Sequence, residues 1–169
     1  MSKPTLPSTV RETLFVCTGN SCRSVMAEYL FRHIAAEKGL QVRTHSAGVA
    51  AAHGSGASFE TLQVLKQDGI DARAHSSRMV HEETMESADM ILALTEQHAA
   101  HLKQHFPEAA AKIYLLSEFY TGENREYFVQ GIPDPIGMNQ HFYQNTYLVI
   151  RDCVRNLVER LLAARGNKS

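Results

Sequence analysis

Residues able to do chemistry together concentrate in Val16-Cys17-Thr18-Gly19-Asn20-Ser21-Cys22-Arg23-Ser24. A short apolar, β-rich run, Thr13 to Cys17, precedes this stretch, and a helical pattern follows from Ser24. A nucleophile therefore leaves a strand, enters a tight loop, and meets an arginine where a helix begins. The loop's N–H groups can turn inward as a nest for an oxyanion, and the helix start adds free N–H groups and a positive dipole end. Arg23 supplies a planar, permanently charged fork able to grip two phosphate oxygens. Gly19, without a Cβ, lets the chain turn tightly. The same field favours a thiolate. A free thiol ionises near ~8.5, and helix N-termini and nearby cations lower that by several units. Cys17 is thus predicted to be a thiolate at neutral pH, placed for in-line attack on phosphorus, with the Ser24 hydroxyl donating to the sulfur.

A second element complements this one. Expelling an alkoxide, phenoxide or amine requires a proton, and Asp134 in Ile132-Pro133-Asp134-Pro135 is the candidate donor. A dianionic phosphate beside a thiolate would keep its carboxyl protonated. The flanking prolines stiffen the segment. After transfer, the carboxylate would take a proton from water attacking the phosphocysteine. Taken alone, C-x5-R is a weak pattern and Asp134 could equally cap a turn; the strand, the Gly-Asn pair and the following helix give the pattern its context.

Both motifs, and the chain from about Thr13 to Leu162, resemble the low-molecular-weight protein tyrosine phosphatases, whose signature loop reads Cys-x-Gly-Asn-x-Cys-Arg-Ser and whose general acid sits in an Asp-Pro loop. The resemblance implies a cysteine-dependent phosphatase that acts on phosphorylated protein side chains, releases inorganic phosphate and needs no metal or cofactor. It makes Cys17, Arg23 and Asp134 catalytic and gives phosphate binding to Thr18, Gly19, Asn20, Ser21, Cys22 and Arg23, with Ser24 in support. His75-Ser-Ser-Arg78 is similar to the family's His-x-x-Arg, which implies that His75 steadies the loop through Asn20; an ordinary loop histidine is the alternative. Cys22 matches a family residue able to form a protective disulfide with the nucleophile, capturing a sulfenate at Cys17; it reads equally as a small packed residue.

Three positions depart from the family pattern. Val25 replaces a proline at the helix start, where both are tolerated. Ile136 replaces an aromatic residue after Asp-Pro, weakening one wall for a phosphotyrosine ring. Ser21 replaces a branched aliphatic residue. Bacterial protein arginine phosphatases resemble this chain at several places, with a threonine at the Ser21 position, Asp-Pro-x-Gly as in Asp134-Pro-Ile-Gly137, though with an aromatic residue where Ile136 stands, and Thr-x-x-His as in Thr95-Glu-Gln-His98. A phosphoguanidinium is polar and planar, so a hydroxyl suits it better than an aliphatic group. Ser21 and Ile136 are therefore the specificity positions, and Ser21, Thr95 and His98 favour phosphoarginine over phosphotyrosine. An arsenate reductase would need further thiols, and only Cys22 and Cys153 remain. A non-catalytic phosphate-binding module would lack the nucleophile or the acid.

The elements that must position these residues follow from periodicity. Strands are expected at Thr13–Cys17, Val42–Ser46, Met90–Leu94 and Lys112–Leu116. Helical spacing joins Met26, Leu30, Phe31 and Ile34 before Gly39, and Leu62, Val64, Leu65 and Ile70 in a helix broken at Gly69. A short acidic helix is expected from Glu82 to Ala88, a Thr95-capped helix before Pro107, and a long final helix with Tyr143, Tyr147, Ile150, Val154, Leu157 and Leu161 on one face. Strands alternating with helices predict an α/β fold of three layers, a four-stranded parallel sheet with helices on both faces. Ala50 to Ser58 reads as a mobile loop, and Thr121 to Gly137 as a long functional one. Residues 1–11 read as a flexible N-terminal extension and 12–166 as a single phosphatase domain.

Composition narrows the function classes. The 169 residues carry 17 basic and 18 acidic side chains, which excludes nucleic-acid binding by bulk charge. No apolar run approaches a membrane span and residues 1–11 lack the apolar stretch of a secretory signal, so neither a nucleic acid nor a membrane is expected as partner. Three cysteines cannot all pair within the chain, which points to a reducing, cytoplasmic setting. His98, His101 and His105 have helical spacing but no acidic or thiol companions, and read as a solvated stripe rather than a metal site. Cys153, Tyr143 and Tyr147 fall on or beside the apolar face of the last helix and are expected in the core.

Overall fold

The computed structural model describes residues 3–166. Four strands, β1 (Glu12–Cys17), β2 (Arg43–Gly48), β3 (Met90–Ala93) and β4 (Ile113–Leu115), form one sheet of order β2-β1-β3-β4. All three pairings are parallel, with Cys17 opposite Gly48 on one side and Val16 opposite Ala93 on the other. Five α-helices complete the fold: α1 (Arg23–Glu37), α2 (Phe59–Lys66), α3 (Glu82–Ser87), α4 (Glu96–His105) and α5 (Gln140–Gly166).

Alternation along each strand divides the core in two. Phe15 and Cys17 of β1 and Met90 and Leu92 of β3 face a cluster built with α1, α2 and α5. Leu14, Val16, Ile91 and Ala93 face a smaller cluster containing Met85 of α3 and Leu102 of α4. The sheet is thus covered on both faces, as its apolar strands require. In α5 the stripe from Tyr143 to Leu161 is buried throughout, together with Cys153. At ~1.5–3 kcal/mol for each large apolar side chain taken from water, that stripe anchors the helix firmly. No helix among the described residues is long and apolar enough to cross a membrane.

Several details differ from the sequence reading. The helix expected to break at Gly69 already stops at Lys66; Gly69 takes φ +72, and Ile70 turns back to give its N–H to Leu65 O at 3.1 Å. This is the geometry of a glycine-terminated helix. The segment 50–58, expected to be mobile, is tied to residues 72–80 by Gly54 N–H to Ser77 O and Ser77 N–H to Ser55 O. The N-terminal extension, over its described part, lies against the domain. Leu6 and Val10 join the larger core, Tyr114 donates to Thr5 O, and Arg165 donates to Val10 O. Met1 and Ser2 lie outside the described residues.

The order β2-β1-β3-β4 makes the chain run outward from β1 in both directions, so the crevice at the C-terminal ends of β1 and β3 is the sheet's switch point. That is where open parallel sheets bind ligands. Cys17 ends β1 there.

Candidate active site

The loop 18–22 joins β1 to α1 with no side chain capping the helix, since Cys22 at the N-cap position offers no hydrogen bond. The first N–H groups of α1 are therefore available to an anion. Cys17 is buried, with its sulfur 2.9 Å from Ser24 Oγ. Ser24 Oγ accepts from Asn20 Nδ2 at 2.9 Å, so its own proton points to the sulfur. Ser24 thus lies within hydrogen-bond distance of the Cys17 sulfur.

Asn20 organises the loop. It is the residue with left-handed backbone, φ 52, whereas a Cβ on Gly19 would meet only Ser21 Oγ at an ordinary 3.7 Å. The tight turn therefore falls one residue later than expected, and asparagine tolerates that region better than other non-glycine residues. Asn20's side-chain amide and backbone carbonyl are all engaged. Nδ2 also donates to Ser46 Oγ at 2.9 Å, Oδ1 accepts from Arg78 N–H at 3.1 Å, and the backbone carbonyl accepts from Ser77 Oγ at 2.6 Å and His75 Nε2 at 2.8 Å. Because a carbonyl only accepts, His75 carries its proton on Nε2. His75 does reach the loop at Asn20, through the main chain rather than the amide. Behind Asn20 the network continues from Ser46 to the buried Glu28, which pairs with Arg32.

Arg23 is almost fully buried at 4% exposure. Nη1 donates to Ile132 O at 2.9 Å, Nη2 pairs with Asp134 Oδ2 at 3.2 Å, and Nε has no partner among the described residues. The structure thus brings Cys17, Arg23 and Asp134 to one place from opposite ends of the chain. Asp134 is exposed, and its Oδ1 accepts from Ile136 N–H at 3.1 Å, which closes a short turn and sets the carboxylate's direction. Ile136 is exposed beside it. Ser21 is half-buried, and its Oγ meets only Cys22 Sγ, at 3.6 Å.

Cys22 points away from the crevice and packs in the larger core, 3.4 Å from Ser58 Oγ and 3.6 Å from the Tyr143 hydroxyl. All three cysteines are unpaired. Burial pushes the Cys153 thiol well above its usual range and keeps it in the core of α5.

Two contributors escaped the sequence reading, and a third, His98, was read in two ways. Gly48 closes β2 directly against the loop: an added Cβ would lie 2.4 Å from Thr18 O and 3.0 Å from Asn20 N. Gly131, at φ +115, lets the Asp134 segment pair with Thr95; a Cβ there would lie 2.4 Å from Thr95 Cα. His98, expected in a solvated stripe and also in the Thr95-x-x-His98 pair that favours phosphoarginine, is buried rather than solvated, with Nε2 2.8 Å from Thr18 Oγ1 and Nδ1 3.0 Å from Thr95 Oγ1. Burial and the Arg23 charge lower its pKa to about 4, so the ring is neutral. His101 and His105 do stack on the outer side of α4, and no group of three potential ligands gathers around a metal site among the described residues. The sequence signal for His98 lay in Thr95-x-x-His98, where the helix cap fixes the distance between the two side chains.

Residues 12–167 match the model of a family described as low molecular weight phosphotyrosine protein phosphatase. A protein-arginine-phosphatase of Bacillus subtilis is 37% identical over 150 residues, 89% of this chain and 96% of that protein. The low molecular weight protein-tyrosine-phosphatase Ptp of Acinetobacter johnsonii is 32% identical over 151 residues, covering 89% and 98%. Among solved structures, a cysteine-to-serine mutant of the YwlE arginine phosphatase with a phosphorylated active-site serine superposes with a TM-score of 0.83 at 35% identity, covering 92% of this chain and 98% of that one.

Proposed function

Since the chain belongs to the low-molecular-weight phosphotyrosine protein phosphatase family, we propose that it hydrolyses phosphorylated protein side chains with Cys17 as nucleophile, Asp134 as general acid and base, and phosphoarginine as the favoured substrate. The phosphoryl group sits in the nest of residues 18–23, its oxygens on the loop N–H groups and the Arg23 fork. The Cys17 sulfur attacks phosphorus opposite the leaving group as Asp134 gives that group its proton. The S–P bond forms and the P–N or P–O bond breaks. Water, deprotonated by Asp134, then attacks phosphorus and expels the sulfur, which the Ser24 hydroxyl stabilises.

Ser21 carries the substrate preference. Its hydroxyl has no partner among the described residues other than the Cys22 sulfur at 3.6 Å, and is free to hydrogen-bond a guanidinium beside the phosphorus. Ile136 offers no ring for a phosphotyrosine to stack against. The activity for which the arginine-phosphatase relatives are named agrees with this reading. The tyrosine reading is supported by the family description and by the Acinetobacter relative, and remains the alternative. A thiol nucleophile and three unpaired cysteines suit a reducing, cytoplasmic setting. Turnover on phosphoarginine and phosphotyrosine peptides decides the preference. Ser21→Thr should retain the preference for phosphoarginine and Ser21→Ile should shift it towards phosphotyrosine; an unchanged ratio in Ser21→Ile refutes the specificity argument.

A further inference from the structure

We infer that His98 is a positioning residue that ties Thr18 of the phosphate loop to Thr95, the residue against which the Asp134 segment is pinned. The inference rests on the phosphatase reading of the loop and is independent of which phosphorylated side chain is taken.

The loop is held unevenly. On the β2 side, Asn20 is fixed by Ser46, His75, Ser77 and Arg78. On the β3 side, the side-chain hold is the contact of Thr18 Oγ1 with His98 Nε2 at 2.8 Å. Thr18 is otherwise exposed, its carbonyl accepting from Ala50 N–H at 2.9 Å. His98 comes from the first turn of α4 and is itself fixed. Thr95 Oγ1 accepts the His98 backbone N–H at 3.3 Å, and so has its own proton for Nδ1, 3.0 Å away. That leaves the imidazole proton on Nε2, donating to Thr18. One neutral ring therefore satisfies both hydroxyls. A ring that stays neutral until about pH 4 exchanges no proton in the working range, so its part is geometric.

Thr95 also anchors the acid segment. Gly131 forms an isolated bridge with Thr95, Glu96 N–H donates to Gln130 O at 2.9 Å, and Ile132 N–H donates to Leu94 O at 2.8 Å. Ile132 O, one residue after Gly131, then receives Arg23 Nη1, and Asp134 follows two residues later. The chain Thr18–His98–Thr95–Gly131 thus links nest and acid across the crevice, through an α4 side chain that touches both threonine hydroxyls.

The test combines inorganic phosphate binding by calorimetry with turnover of p-nitrophenyl phosphate and of phenyl phosphate, whose leaving group needs the proton more. His98→Ala and Thr18→Val should each weaken phosphate binding about three- to ten-fold, the loss of one well-made hydrogen bond. The double variant should be no weaker than His98→Ala, and His98→Ala alone should lower kcat on phenyl phosphate more than on p-nitrophenyl phosphate. Losses that multiply in the double variant, or an unchanged phosphate Kd in Thr18→Val, overturn the inference; the second result does so even if His98→Ala fails to fold. Wild-type protein that binds no phosphate overturns the phosphatase reading along with it.

Discussion

Asp134 spends one carboxylate oxygen on Arg23 and the other on the Ile136 N–H, so a side chain at the surface is nonetheless aimed. A general acid contributes ~10²–10⁴ in rate, most where the leaving group is poor. Asp134→Ala should therefore slow phenyl phosphate hydrolysis by about that factor and p-nitrophenyl phosphate by less; steady-state kinetics on the pair checks this, and equal losses would deny Asp134 its role. Cys17→Ser removes the polarisable sulfur but leaves the nest. Turnover should vanish while calorimetric phosphate binding persists, and near-normal turnover would refute the thiolate mechanism. These residues were legible because their chemistry resides in their type and order. Ser46, and Glu28 behind it, were not, because their part is to hold Asn20 from positions remote in sequence. For Gly19 the reading of type alone misplaced the turn, which belongs to Asn20.

The phosphate loop is shaped as much by the end of β2 as by its own residues. Gly48 pairs with Cys17, and its missing Cβ is where Thr18 O and Asn20 N lie. Both obstructing atoms are backbone, so an added methyl cannot be relieved by a rotamer change. Gly48→Ala should displace the loop and, at the scale by which a misplacement of about 1 Å lowers rate, cost ~10² in kcat/KM. Circular dichroism and kinetics together check it: the helical signal should persist while activity falls, and full activity would show that the loop is not seated on Gly48. The strands and helices themselves were readable from their periods, including Thr95 as the cap of α4 and the buried stripe of α5. The residue-by-residue ends were less so. The close of α2 depends on Gly69 adopting positive φ and on Ile70 finding the core, a tertiary event.

Burying His98 between sheet and α4 has a consequence for the molecule as a whole. Its pKa is about 4 when folded, against ~6.5 for a free histidine. Above pH 6.5 both states are neutral and the contribution to stability is complete. As pH falls towards 4 the unfolded chain takes up a proton that the folded one refuses, and stability drains by ~1.4 kcal/mol per pH unit, on the order of 3 kcal/mol in all. Denaturant titrations at pH 7 and pH 4.5 should show a larger loss for the wild type than for His98→Gln; equal losses would show that His98 is not the group responsible. By itself the sequence determined the family and its reaction class, through a Cys-x5-Arg loop and an Asp-Pro segment in the family's order, on a parallel α/β sheet whose continuously apolar strands demanded two covered faces. Only the tertiary structure decided how these groups are held. The supports are Gly48, His98, Gly131 and the network behind Asn20, and each works through a contact between segments far apart in the chain. Local pattern and residue type encode what a side chain can do, whereas the distance to a partner many residues away exists only once the sheet has brought the two strand ends together.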